Sequence, residues 1–280
     1  MHMFRRSFVD ALKTALFATA VALFCTPLHA QTIPNHNDPS AHKDALDLSL
    51  VPSIRFLTSS DFPPFNFKDP TGELIGFNID LAEAICSEID ADCTMQSWPW
   101  AQLKKALADG QGDAIAAGVS IDANNAQLMN FSQSYLQLPG RFVAHQNSDV
   151  GASFDPHSLS GPVGVRRDSA HHSFLKAHFP NLTPISYDSD LDVLVGVAQG
   201  ALEYAFVDGM RASFWLIQND CCMFIGGPYF DAQFFGEGLA IGVAMDKQNT
   251  LRAINIALRR LAENGKRDEL FFKWFPLSFY

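Results

Sequence analysis

Charge is scarce in this chain of 280 residues. Asp, Glu, Lys and Arg make up 18% of it, with 30 acidic against 20 basic side chains and a formal net charge of -10. A nucleic-acid binder needs an excess of phosphate-neutralising Lys and Arg, so the acidic balance excludes that class and no nucleic-acid partner is expected. A disordered, solvating chain is excluded as well: 48% of the residues are hydrophobic and phenylalanine alone occurs 24 times, which is ample material for a core. Long apolar runs are also lacking. The run from Ala15 to Cys25 has eleven residues, about half of what a helix needs to cross a bilayer.

What is present begins with an export signal. Arg5, Arg6 and Lys13 precede the apolar run, Pro27 breaks it, and Leu28-His29-Ala30 ends in a small residue suited to signal peptidase. Residues 1–30 read as a cleaved signal peptide, which predicts a periplasmic protein. Cys25 does not make a lipoprotein signal, because Phe24 stands where a small residue is required. Arg5-Arg6-Ser7-Phe8 loosely resembles a twin-arginine signal, but the general secretory route fits better. Export permits disulfides. Four cysteines remain after cleavage: Cys86, Cys93, Cys221 and Cys222. Cys86 is expected near a helix end and Cys93 at the start of the next strand, a spacing that suits a bridge. The adjacent pair Cys221-Cys222 reads equally as two thiols or as a strained eight-membered ring.

Residues 31–50 are polar and aperiodic and read as a flexible leader. Alternation then begins. Ile54–Leu57, Cys93–Gln96 and Ala114–Ala117 read as strands, separated by helical patterns from Asn78 or Asp80 onward and over Trp100–Ala108. A second unit repeats the rhythm. Val163–Val165, Pro184–Tyr187 and Tyr204–Val207 are strands; Ser169 caps a helix through His178, and Asp190–Gln199 and Arg211–Ile217 are helices. This βαβα order predicts mostly parallel sheets covered on both faces. Gly140 to Ala144 and Gly238 to Ala244 read as extended crossings between two lobes: residues 51–142 with 239–280, and residues 143–238. The last helices, Leu251–Leu261 and Arg267–Trp274, are expected to pack back on the first lobe.

Four motifs then carry a resemblance. Phe62-Pro63-Pro64-Phe65 is followed by Gly76-Phe77-Asn78-Ile79-Asp80-Leu81; Gly112-Asp113-Ala114-Ile115-Ala116-Ala117-Gly118-Val119-Ser120 leads to Asn130-Phe131-Ser132; Glu203-Tyr204-Ala205-Phe206-Val207-Asp208 lies in the second unit; and Gly236-Glu237-Gly238-Leu239 marks the return crossing. In this order the chain, from about Ile54 to Phe275, resembles the family 3 extracellular solute-binding proteins of bacterial ABC importers of polar amino acids. The resemblance implies an α/β, type II periplasmic-binding-protein-like fold, two lobes joined by two extended hinge crossings. It implies a small-molecule solute, an ABC permease as partner, a monomer, no cofactor and no catalysis. Phe62 and Trp100 match aromatic walls, Ala117 and Gly118 backbone contacts, Ser120 and Ser169 donors to a carboxylate, and Asp208 the carboxylate that receives an ammonium. A Cys86/Cys93 bridge occurs in some members.

One departure stands out. The family's carboxylate-clamping Arg is replaced by Asn125, with Asp122 three residues before it. Arg166, Arg167 and Arg141 are the candidates to replace it, Arg166 foremost. Plainer readings stand beside these: Phe62 and Trp100 as core aromatics, Ser169 and Asp208 as helix caps, Arg166 and Arg167 as a solvated pair. His171, His172 and His178 read as surface histidines without metal spacing. The rival function is an enzyme on the same fold, resembling cyclohexadienyl dehydratases, with Asp122 or Asp168 as acid. A sensor module is a further rival that would need a partner protein.

Overall fold

The computed structural model describes residues 47–148 and 154–280. The predicted signal peptide, residues 1–30, and the leader as far as residue 46 lie outside the described residues. Where the leader ends, Leu48–Leu50 form one 3-10 turn, and the Asp47 carboxylate accepts from the Ser49 N–H at 3.1 Å.

In chain order the strands are β1 (Ser53–Thr58), β2 (Asp61–Phe62), β3 (Asn66–Lys68), β4 (Leu74–Ile75), β5 (Asp92–Ser97), β6 (Ala114–Ser120), β7 (Asn130–Phe131), β8 (Gly140–His145), β9 (Gly161–Arg166), β10 (Leu182–Tyr187), β11 (Tyr204–Asp208), β12 (Cys222–Tyr229) and β13 (Leu239–Val243). The helices are α1 (Phe77–Ile89), α2 (Trp100–Ala108), α3 (Ala170–His178), α4 (Asp190–Ala198), α5 (Gly209–Ile217), α6 (Ala232–Phe235), α7 (Gln248–Glu263) and α8 (Lys266–Trp274).

Two five-stranded sheets share one plan. The first runs β5-β1-β6-β13-β7 and the second β10-β9-β11-β8-β12. In each, three parallel strands are followed by an antiparallel fourth that belongs to the other end of the chain's passage between lobes. β2, β3 and β4 form a small antiparallel sheet of their own. The strands build buried cores because their apolar residues meet helices on the faces. Phe56, Phe77, Leu81, Ile85, Ile254, Phe271 and Phe275 pack in the first lobe, and Phe142, Val163, Phe174, Leu175, Phe179 and Phe206 in the second. α7 and α8 lie against α1, as the sequence predicts.

The expected crossings are corrected. Gly140 to Ala144 is strand β8, paired on both sides with β11 and β12. Gly238 to Ala244 contains β13, paired on both sides with β6 and β7. A short apolar stretch flanked by glycine reads the same whether it crosses or pairs; here complete burial of Phe142, Val143 and Ala144 goes with pairing. The passages themselves shrink to residues 137–139 outward and 236–238 on return. An isolated bridge between Leu136 and Leu239 ties them together.

At the far end of α1 the chain turns through Asp90, whose φ of 55° is left-handed, and Cys86 is bridged to Cys93 with Cα atoms 6.2 Å apart. Gly76, the residue before α1, has a φ of 135°, and a Cβ there would collide with the Phe65 carbonyl. Only glycine meets both demands. Closing so short a loop should stabilise the fold by about 2–3 kcal/mol through the unfolded chain. Dithiothreitol is therefore expected to lower the urea midpoint, and Cys86→Ala/Cys93→Ala to show the lowered midpoint without it. An unchanged midpoint in both would refute the stapling role. Cys221 and Cys222 are free thiols, and Cys222 is pushed up to about 12 by burial and by its neighbour.

Candidate functional site

Parallel α/β sheets bind ligands outside the carboxyl ends of their strands. In the first lobe those ends deliver Phe62 after β1, Trp100 after β5, and Gly118 and Ser120 on β6. In the second they deliver Arg166 from β9, Tyr187 from β10 and Asp208 from β11. Two register pairs bring both edges to one seam. Ser120 pairs with Leu239, the first strand residue after the return passage, and Asp208 pairs with Gly140, the first after the outward passage. The Gly209 N–H also donates to the Pro139 carbonyl at 2.9 Å, fixing the end of β11 to that passage.

The first-lobe wall is aromatic. Phe62 is 38% exposed and stacks on Phe65 with centroids 4.7 Å apart; Trp100 is 49% exposed at the start of α2. Exposure of two large rings at a strand edge is not core packing. Gly118 lies against the Phe62 ring. Its φ is 70°, and a Cβ there would stand 3.1 Å from the ring, so the close approach requires glycine. A buried polar chain fixes this floor. The Tyr135 hydroxyl donates to Asn78 Oδ1 at 2.8 Å. Asn78 Nδ2 donates to Asn66 Oδ1 at 2.7 Å, and Asn66 Nδ2 to Ser59 Oγ at 2.9 Å. Ala117, on the strand just before Gly118, is fully buried. Nothing in the sequence pattern marks this chain of polar groups, because only burial distinguishes it.

Ser120 is exposed at the end of β6. Asn125 is different. It is buried, and its Nδ2 donates to the Ser120 carbonyl at 3.0 Å and to Asp122 Oδ2 at 2.7 Å. Two acceptors on one side fix the amide orientation, since the flipped form would face oxygen with oxygen. Both amide protons are taken up inside the loop and Oδ1 is buried without a partner. Asn125 therefore braces the loop in this conformation and offers no donor to an anion. Asp122 also accepts from the Asn124 and Asn125 N–H groups, at 2.9 and 2.8 Å.

In the second lobe Ser169 is the N-cap of α3. Its hydroxyl accepts from the His172 N–H at 3.0 Å and donates to the Arg166 carbonyl at 2.7 Å, so its proton too is taken up locally. Asp208 caps α5, accepting from the Arg211 N–H at 2.8 Å. Burial raises its pKa above the usual carboxylate range, opposed by that N–H and by the charges of Arg211 and Arg166. The three arginine candidates separate clearly. Arg166 Nη1 meets Asp190 Oδ2 at 3.3 Å, and Arg167 pairs with exposed Asp188 at 3.4 Å. Arg141 is buried, donates to the Gly226 carbonyl at 3.0 Å and lies 4.4 Å over the Phe224 ring; burial lowers it to about 10.

The reading of three surface histidines is corrected at His171. It falls on the inner face of α3 with Phe174 and Leu175, packs on the Phe235 ring at 4.8 Å, and its Nε2 is buried without a partner. Burial lowers its pKa to about 4, against the charge of Asp190 and helped by Arg166 and Arg211. His178 is exposed and meets Asp231 at 3.2 Å. Among the described residues no group of His, Cys, Asp and Glu is arranged to hold a metal ion, and no helix is long and apolar enough to cross a membrane.

Two sheets of this plan, each presenting its parallel strand ends to a common seam, define the class of two-lobed binding proteins. The model for the bacterial extracellular solute-binding proteins, family 3, matches residues 54–277, and the chain belongs to that family. It is similar to the ABC transporter arginine-binding protein 1 of Escherichia coli (strain K12), 27% identical over 81% of this chain and 93% of that protein. It is likewise similar to the histidine-binding periplasmic protein of Escherichia coli (strain K12), 28% identical over 83% of this chain and 91% of that one. Among solved structures, the L-cystine solute receptor of Neisseria gonorrhoeae in its unliganded open conformation shares the fold with a TM-score of 0.70, at 17% identity, covering 81% of this chain and 94% of that chain.

Proposed function

We propose that this protein is the exported solute-binding receptor of an ABC importer, taking up an amino acid or a related small amine-bearing solute and presenting it to an inner-membrane permease. The observation that carries the reading is the convergence of both sheets' carboxyl edges on one seam, with exposed Phe62 and Trp100 on one side and the half-buried Asp208 carboxylate on the other. Aromatic faces cover an apolar or flat portion of a solute, and a carboxylate in a drying cleft demands a cation. The relatives bear arginine and histidine in their names, and both are cationic or amine-bearing amino acids. Membership in the family supports the permease partner and the periplasmic location.

An enzymatic reading needs an acid held towards the cleft. Asp122 is engaged by three donors of its own loop and Asp168 is exposed at a φ of 52°. Neither is placed as a proton donor. A thermal-shift screen over amino acids, opines, amines and small organic acids tests the reading, with prephenate and arogenate turnover as the enzymatic arm. Stabilisation by an amine-bearing solute without turnover is the expected result. Turnover of either dehydratase substrate would overturn it.

A further inference from the structure

The two adjacent arginines of the second lobe have different surroundings, and the difference gives a role to a third residue. Arg167 is paired on the outside with Asp188, both side chains well exposed. Arg166 closes β9 in register with Tyr187 of β10, and its partner is Asp190. Asp190 is the first residue of α4 and only 8% exposed. Its carboxylate is not the helix cap. Ser189 performs that task, its Oγ accepting from the Asp192 N–H at 3.1 Å. A carboxylate buried to this degree is costly unless it is paired, and Arg166 is the cation placed against it.

The pairing leaves most of the guanidinium available. One Nη contacts one Asp190 oxygen at 3.3 Å, and the Arg166 side chain stays 38% exposed. A guanidinium has five N–H donors in a planar fork that matches a carboxylate. Other positions for a solute's acid group are worse. In the first lobe the Asn125 donors are used within the loop and Asp122 is an exposed like charge. In the second the Ser169 proton is donated to the backbone, and Arg141 is bonded to Gly226 and stacked on Phe224.

We propose that Asp190 is a positioning residue, which holds Arg166 at the carboxyl edge of the second sheet as the seat for a carboxylate of the bound solute. The proposal rests on the receptor reading above and narrows its solute to one that carries a carboxylate. Arg166 and Asp208 then stand on neighbouring strand ends as opposite charges, complementary to a solute bearing both an acid and an amine.

Calorimetry with matched probes tests it: L-arginine against agmatine, which lacks the α-carboxylate, and L-glutamate against L-glutamine, which lacks the side-chain carboxylate. Each is titrated into the wild type, Arg166→Gln, Asp190→Asn and the double variant. The acid-bearing member of a pair should bind more tightly. Arg166→Gln should weaken it about ten- to hundredfold, and Asp190→Asn by a smaller factor. The double variant should be no weaker than Arg166→Gln alone, because Asp190 acts through Arg166. A purely structural Asp190 would add its effect in full to the double variant, and that result would overturn the proposal. The arginine–agmatine arm assigns an α-carboxylate and the glutamate–glutamine arm a side-chain carboxylate. Equal or tighter binding of agmatine and glutamine removes the seat while leaving the receptor reading intact. Binding of no probe, together with an empty thermal-shift screen, removes the receptor reading and the proposal with it.

Discussion

Asp208→Asn is expected to stabilise the ligand-free protein and to weaken its binding of an amine-bearing solute. Asn caps a helix about as well as Asp, so the bond from the Arg211 N–H survives and only the charge is lost. Burial raises the folded-state pKa of Asp208 above its unfolded value. For a carboxylate raised in this way, the ionised form opposes folding at neutral pH, and stability is gained as pH falls through the folded pKa. Removing the charge therefore raises the melting temperature of the empty protein at pH 7. The same charge is what a bound ammonium would use, and a charge-assisted hydrogen bond is worth about 1.5–3 kcal/mol, or about ten- to hundredfold in affinity. Differential scanning calorimetry of the empty proteins and titration with the solute found by the screen measure the two effects separately. A variant that is less stable and binds equally well would mean that Asp208 serves as a cap and nothing more.

Much of the fold is legible because local signals and packing agree. The helix predicted over Trp100–Ala108 forms at those residues, and the Ser169 cap opens a helix that runs to His178. The Cys86–Cys93 bridge closes over the Asp90 turn. β12 is not legible, because Cys222–Tyr229 contains Gly226, Gly227 and Pro228 and its pairing with β8 is interrupted between Ile225 and Tyr229. The start of α1 is misjudged for a related reason. Asn78 looks like a cap in sequence, but its side chain turns inward to Asn66 and Tyr135, and Gly76 precedes the helix without a side-chain cap.

At the candidate site the residue types are readable and their hydrogen-bond allegiances are not. Ser169 reads equally as cap and as ligand donor; its two local bonds show the capping role. Asn125 stands where a clamp is expected, yet the Asp122 carboxylate three residues earlier engages it as a brace, a local side-chain bond of the kind Asp and Asn favour. Asp190 passes in sequence as an ordinary acidic helix start, and only the placement of β9 beside β10 and the turn into α4 sets it against Arg166. His171 is the case where the signal was present: His171, Phe174 and Leu175 fall at i, i+3 and i+4, one face of a helix.

That buried imidazole should dominate the acid side of the stability profile. Its pKa falls from an ordinary 6.5 to about 4, chiefly by burial, with Asp190 opposing the shift and Arg166 and Arg211 adding to it. A histidine depressed in the folded state binds its proton more readily when unfolded. Its contribution is therefore fully present above pH 6.5 and is lost as pH falls from there towards about 4. At 1.36 kcal/mol per pKa unit the loss by pH 4.5 is about 2–3 kcal/mol. Asp208, raised rather than lowered, has the opposite sign and partly masks the loss in the wild type. The two contributions separate by substitution. In an Asp208→Asn background the fall in urea midpoint between pH 7 and pH 4.5 should be steeper than in the wild type. Adding His171→Phe, which keeps an aromatic ring against Phe235 and carries no proton, should flatten it. The comparison uses the slope with pH rather than the absolute midpoint, so a packing cost of the larger ring cancels. A slope that His171→Phe leaves unchanged would show that His171 takes up its proton in the folded protein as easily as in the unfolded chain, and that its burial carries no electrostatic cost.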